Sequence, residues 1–120
     1  MSHFVIQKHS ASHLHFDFRL EMEGVLKSWA VPKGMPETQG IKRLAVAVED
    51  HPLDYIDFEG VIPNGQYGAG VVEIWDKGEY AIESAEERKL VFNLEGKRTK
   101  GRYALIHTNG KKWLIFKLGF

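Results

Sequence analysis

The stretch His13-Leu14-His15-Phe16-Asp17-Phe18-Arg19-Leu20 decides the fold, because polar and apolar side chains alternate along it without a break. A period of two marks a half-buried β-strand, whose successive side chains point to opposite faces. One face then carries His13, His15, Asp17 and Arg19, and the other carries Leu14, Phe16, Phe18 and Leu20. Same-face neighbours on a strand stand roughly 7 Å apart, which lets an imidazole and a shorter carboxylate lean onto one cation. The apolar face is expected to be a buried ridge that holds the polar row in place, as a preorganised metal site requires.

Short β-branched or aromatic runs recur on either side of this strand. Strands are expected at 4–8, 13–20, 25–31, 44–49, 55–59, 71–75, 89–94, 102–107 and 113–118. Turn signals separate several of them: Glu23-Gly24, Asp76-Lys77-Gly78 and Asn109-Gly110. Close turns between short strands predict an all-β, antiparallel barrel or sandwich with little helix, since the helical crossovers of βαβ units are missing. Only Ser84 to Arg88 reads as a helical turn, and it is expected to be a solvated connection. Trp29, Trp75 and Trp113 fall within strands and are assigned to the core rather than to base stacking.

Composition narrows the functional classes. With 120 residues and 43% hydrophobic content, the chain suits one domain and one core, residues 1–120. It contains no cysteine, which excludes disulfides, thiolate metal sites and cysteine nucleophiles, so any metal must use nitrogen and oxygen ligands. Sixteen basic and sixteen acidic residues cancel, so a nucleic-acid partner would have to be held by a local basic surface. No apolar run approaches the ~20 residues of a membrane span and no signal-peptide layout is present, so a cytoplasmic protein without membrane contact is expected.

The chemistry-bearing residues concentrate in the first half. A turn through Ser10, Ala11 and Ser12 would return His9 to the polar row, completing His9, His15 and Asp17 as a two-histidine, one-carboxylate set. Such a set suits a divalent transition metal and leaves coordination positions open. Arg19 continues the same face, where it could grip an anion such as phosphate. Lys33 lies in a loop shaped by Pro32 and Gly34, and Lys42 and Arg43 open a strand. His51 sits among Glu49, Asp50, Asp54 and Tyr55 and could contact phosphoryl oxygens or act as general acid, oriented by Glu49 or Asp50. Gly60 to Gly70 carries four glycines but matches neither a Walker loop nor a dinucleotide fingerprint, and is read as a shaped loop at a cleft rim.

Taken together, Gln7-Lys8-His9, Leu14 to Glu21, Leu26 to Gly34, Arg43 to Val46, Val48 to Tyr55, Asp57 to Gly60, Ile62-Pro63, Gly65 to Gly70 and, more loosely, Trp113 to Lys117 resemble the 3'-phosphoesterase domain of the ligase D group. The resemblance implies a manganese-dependent β-barrel enzyme of DNA end repair. It would remove a 3'-terminal ribonucleoside from an RNA-tipped primer strand, then remove the remaining 3'-phosphate. By motif position His9, His15 and Asp17 resemble the family's metal ligands, for Mn²⁺ or another divalent transition metal. Arg19 and His51 resemble its phosphate-contacting residues, and Gln7, Lys33, Arg43, Glu49 and Tyr55 match other active-site positions. His13 stands where the family usually has arginine, and only six residues precede Gln7, where the family commonly has a longer polar arm. The expected partners are primer-template 3' ends and a separate end-joining ligase or polymerase, with the chain itself a monomer. Two competing readings are a non-haem iron oxygenase, which uses the same ligand set, and a non-catalytic barrel that binds nucleic-acid ends through Lys97, Arg98, Lys100 and Arg102.

Overall fold

The two-residue turn Glu23-Gly24 sets the register of the structure, a computed structural model that describes residues 2–119. Glu23 and Gly24 both take positive φ, at 55° and 81°, the backbone that matches the twist of a tight hairpin and that glycine adopts without strain. The turn joins β2 (Leu14–Met22) to β3 (Val25–Val31). Counting back from it pairs Phe18 with Trp29 and Arg19 with Ser28. On the other side β2 pairs with β1 (Ser2–Ser10), which sets His9 opposite His15 and Gln7 opposite Asp17.

The remaining strands are β4 (Lys42–His51), β5 (Gly60–Ile62), β6 (Gly70–Glu86), β7 (Lys89–Glu95), β8 (Lys100–Asn109) and β9 (Lys112–Lys117). They hydrogen-bond in the order β1-β2-β3-β4-β9-β8-β7-β6, and β6 returns to β1, which closes an antiparallel barrel. β5 is appended to the start of β6. Closure gives β1 and β6 a partner on each side and leaves only the short β5 as an edge among the described residues, and the barrel interior is packed with Phe4, Ile6, Phe18, Leu20, Trp29, Phe92, Leu94, Tyr103, Leu105 and Ile115. Trp29 is buried in this core, and Trp75 and Trp113 pack against it, as expected. Among the described residues, no helix is long and apolar enough to cross a membrane.

Four expectations are corrected. The run 55–59 is not a strand: Leu53–Asp57 forms a short 3-10 helix after Pro52, whose missing N–H and fixed φ favour a helical start over a sheet position. Asp76-Lys77-Gly78 is not a turn, because β6 runs on through it. Trp75 is instead an extra residue between Ile74, opposite Gln7, and Asp76, opposite Ile6, a bulge that bends the strand. Asp76 is buried there and accepts the backbone N–H groups of Lys97, Arg98 and Thr99, fastening the β7–β8 turn to the bend. Ser84 to Glu86 belong to β6, so the solvated connection is reduced to Glu87 and Arg88 with no helical turn. Finally, the apolar ridge of β2 is shorter than its pattern: Phe18 and Leu20 are fully buried, but Leu14 is 51% exposed and Phe16 is only partly covered, beside Trp75.

Phe18 touches Phe4, Trp29 and Phe92, so Phe18→Ala should lower the unfolding free energy by about 3–5 kcal/mol. Leu14→Ala should change it by less than about 0.5 kcal/mol. Urea denaturation of the two variants checks the difference, and equal losses would contradict the assigned ridge.

Candidate metal centre and anion cleft

Because the apolar residues of β1 and β2 fill the barrel, their odd-numbered partners Gln7, His9, His15, Asp17 and Arg19 face outward. They are nevertheless not on open surface. The short helix Leu53–Asp57 and the loop from Ile62 to Gly70 cover this face, leaving a cleft of about 720 Å³ lined by His9, His15, Asp17, Arg19, His51, Tyr55 and Tyr67, among others. The loop is drawn against the β1–β2 turn at Gly70, where a Cβ would collide with the Ser10 carbonyl. The expected cleft rim is thus present.

Asp17 is the centre of the site. Its Oδ2 lies 3.4 Å from His9 Nδ1, and its Oδ1 lies 3.4 Å from His15 Nε2. One ligand atom from each of the three residues falls within 4.8 Å of the others. The outer nitrogens of both rings are engaged: His9 Nε2–H donates to the Gly68 carbonyl at 2.8 Å, and His15 Nδ1–H donates to the His13 carbonyl at 3.1 Å. In the neutral rings those bonds place lone pairs on the inward nitrogens, the arrangement by which a second shell orients histidine ligands. The chemistry of the set therefore fits a divalent transition metal bound by two imidazoles and a carboxylate. His13 itself is exposed and contributes its carbonyl rather than its ring.

Arg19, 3% exposed, is held on every side. Its Nε donates to Gln7 Oε1 at 2.7 Å and its Nη1 to Ser28 Oγ at 2.8 Å, while Nη2 lies 3.5 Å from Asp17 Oδ2. Its guanidinium sits over the Tyr55 ring at 5.0 Å. A guanidinium has five N–H donors, so this frame leaves Arg19 free to offer one more to an anion in the cleft it lines. Gln7 is fully buried and does not line the cleft. Its Nε2 donates to the carbonyls of Tyr55 and Phe58, which ties the covering helix to the strand and to Arg19.

His51 Nδ1 lies 3.1 Å from Arg19 Nη1 and 3.0 Å from the Glu49 carbonyl. Arginine only donates and a carbonyl only accepts, so the ring tautomer chooses between them. The form that accepts from Arg19 carries its proton on Nε2. Burial, followed by the neighbouring Arg19 charge, moves the His51 pKa below 6.5 and favours the neutral ring. His51 also packs on Tyr55 at 4.6 Å between ring centres. The expected orienting role of the Glu49 and Asp50 side chains is not seen: Glu49 acts through its backbone carbonyl, and the Asp50 carboxylate takes the Lys27 ammonium.

Lys33 and Arg43 are not brought to this cleft. They line a second cavity at the barrel mouth with Phe16, Met35 and Trp75. The basic strip is also broken up, since Arg98 lies over Trp75 and Arg102 pairs with Glu83. Ser28, not among the residues expected from the sequence, supports Arg19 and donates its own proton to the Leu26 carbonyl. The signal was available, because a two-residue turn at Glu23-Gly24 places Ser28 opposite Arg19.

The Asp17 hydrogen bond raises the His15 pKa above 6.5 despite burial. For Asp17, burial acts upward, but His15 and Arg19 prevail and the net shift is below 3.8. The sign follows: His15 favours folding most below pH 6.5 and that contribution fades as pH rises through its folded pKa, whereas the Asp17 contribution is lost only as pH falls below 3.8. NMR titration of the metal-free protein should find His15 above 6.5 and His51 below it, with Asp17→Asn returning His15 toward 6.5. A His15 value at or below 6.5 would contradict the Asp17 contact.

With the geometry established, comparison with known proteins places the chain. The family profile described as "DNA Ligase D 3'-phosphoesterase domain" matches residues 7–107. The chain is 53% identical over 119 residues to the multifunctional non-homologous end joining DNA repair protein LigD of Mycobacterium tuberculosis, covering 96% of this chain and 16% of that protein. It is 54% identical over 123 residues to the LigD protein of Pseudomonas aeruginosa, covering 95% of this chain and 15% of that protein. The chain thus spans about a sixth of the length of these relatives. On the strength of the matched residues 7–107, the chain belongs to the DNA ligase D 3'-phosphoesterase domain family.

Proposed function

We propose that this chain is a divalent-metal-dependent phosphoesterase that heals DNA 3' ends. It removes a 3'-terminal ribonucleoside from an RNA-tipped primer strand, then removes the 3'-phosphate left behind, exposing a 3'-hydroxyl. The observation that carries this reading is the juxtaposition of a His9, His15 and Asp17 ligand set with a buried, fully braced Arg19 in one cleft. Carboxylate and imidazole donors suit Mn²⁺ and related ions.

The bound metal would supply Lewis-acid polarisation of the phosphate and a lowered pKa for water. The protein groups do the rest. Arg19 takes a phosphoryl oxygen, and because Gln7, Ser28 and Asp17 already hold it, its charge needs no reorganisation as negative charge spreads over the phosphoryl group. His51, accepting from Arg19 through Nδ1, directs Nε2–H toward the departing oxygen. Tyr55 buttresses both groups through its ring. Lys33 and Arg43, at the adjoining barrel mouth, serve the strand beyond the reacting phosphate. The natural setting of this reaction is the cytoplasm, on primer-template ends that an end-joining ligase or polymerase then uses, with the chain acting as a monomer.

The test is a primer-template ending in one ribonucleotide and a matched 3'-phosphate primer, each incubated with Mn²⁺ or EDTA. Metal-dependent shortening to a 3'-phosphate and then a 3'-hydroxyl is expected. His15→Ala should lose at least about 100-fold in rate, and Ser28→Ala about tenfold, with metal binding retained. End binding without cleavage in any divalent metal would replace this reading with that of a non-catalytic end-binding barrel.

A further inference from the structure

Two tyrosines border the cleft, and they are held very differently. Tyr55 is fully engaged, stacked on Phe58 at 4.8 Å, packed on His51 and covered by Arg19. Tyr67 is 78% exposed although it lines the cleft. Among the described residues its ring has no aromatic or cationic partner and its hydroxyl no hydrogen bond.

The segment carrying Tyr67 is nevertheless well tied down. Gln66 N–H donates to the Pro63 carbonyl and Ala69 N–H to the Gln66 carbonyl, forming two successive tight turns. The next residue, Gly68, accepts the His9 Nε2–H at 2.8 Å. The Tyr67 backbone is thereby set at a defined position relative to the ligand set, one residue from the bond that orients His9. Tyr67 and the anion-binding Arg19 line the same cleft. The paired Val61 and Val71 expose further apolar surface.

We propose that Tyr67 is the stacking platform for the nucleobase of the terminal nucleotide whose phosphate Arg19 and the His9–His15–Asp17 set receive. The proposal rests on the phosphoesterase reading above. A 3'-terminal nucleotide brings a base attached through one sugar to its phosphate. Arg19 and a metal held by His9, His15 and Asp17 would take the phosphate, and an unengaged ring on the rim matches the base. Stacking on a single aromatic is tolerant of sequence, since every base presents a π face, which suits an enzyme acting on ends of any sequence. Tyrosine also loses little side-chain freedom on contact.

Oligonucleotides ending in a 3'-phosphate, with either 2-aminopurine or an abasic sugar at the last position, test this. Stopped-flow fluorescence in Mn²⁺ reads 2-aminopurine quenching on mixing, before phosphate is released, and steady-state assays give KM and kcat on both ends. The parent and Tyr67→Phe should quench. Tyr67→Ala should not, and its KM advantage for the base-bearing end over the abasic end should shrink about tenfold, the effect of losing one base–aromatic stack. A thermal melt verifies folding, which replacing so exposed a ring should leave intact. Quenching undiminished in Tyr67→Ala, or a KM rise equal on both ends, with phosphate still released, overturns the stacking role alone. Tyr67-dependent quenching without any phosphate release overturns the phosphoesterase reading and leaves the stack standing. Neither quenching nor release overturns both.

Discussion

Asp17 and Arg19 stand two positions apart on one strand, at 6% and 3% exposure, and the burial of these opposite charges constrains everything around them. Removing an ion from water costs several kcal/mol, and the attraction within a buried pair offsets this only when the remaining donors and acceptors are satisfied. The fold meets that requirement from four directions. β1 supplies Gln7 and His9, β3 supplies Ser28, β4 supplies His51, and the short helix supplies the Tyr55 ring. An ion pair of this kind adds little net stability, and its value here lies in preorganisation. Arg19 enters the reaction already aimed, and Asp17 already brings the two imidazoles within reach of one cation.

The barrel explains why such a row can exist on an outward face. Closure through β1 and β6 gives the sheet a packed interior of aromatic and aliphatic side chains, which makes the strands rigid. The outer face of β1, β2 and β3 can then be spent on polar groups, provided something covers them. Two irregular segments do so: the helix Leu53–Asp57, pinned by the Gln7 amide, and the glycine-shaped loop pinned at Gly68 by His9. The site and its cover are thus mutually dependent. Gln7 holds helix and arginine together, and His9 serves both ligand set and loop.

Much of this was legible in the residues, because it depended on local rules. The alternation of 13–20 and the two-residue turn at Glu23-Gly24 specify strand faces and register, and the short turn after Ser10 returns His9 to His15. The illegible parts depended on contacts between distant segments. Tyr55 to Glu59 has the composition of a strand but no neighbour to pair with, and its carbonyls satisfy Gln7 instead. Asp76-Lys77-Gly78 has turn composition, yet Asp76 uses its carboxylate to cap a turn some twenty residues on, while Gly78 admits the Glu95 carbonyl against its backbone. Arg43 lies on the side of its strand that carries the core residue Ala45, and only a register shift before His51 brings that histidine to the outer face with Val48, away from Arg43. Leu14 follows the apolar pattern of β2 but lies beyond the end of the core, so it stays half exposed.

The central claim is that Asp17 organises one metal-binding position with His9 and His15. Calorimetric titration of the metal-stripped protein with Mn²⁺ tests it most directly, repeated in two buffers of different ionisation enthalpy to count the protons released. The account predicts a single site, with proton release at pH 6.5 and below, where the raised His15 pKa keeps on its ring a proton facing Asp17 that must leave, and loss of that site in Asp17→Asn. Stoichiometric Mn²⁺ binding that survives Asp17→Asn unchanged would contradict it.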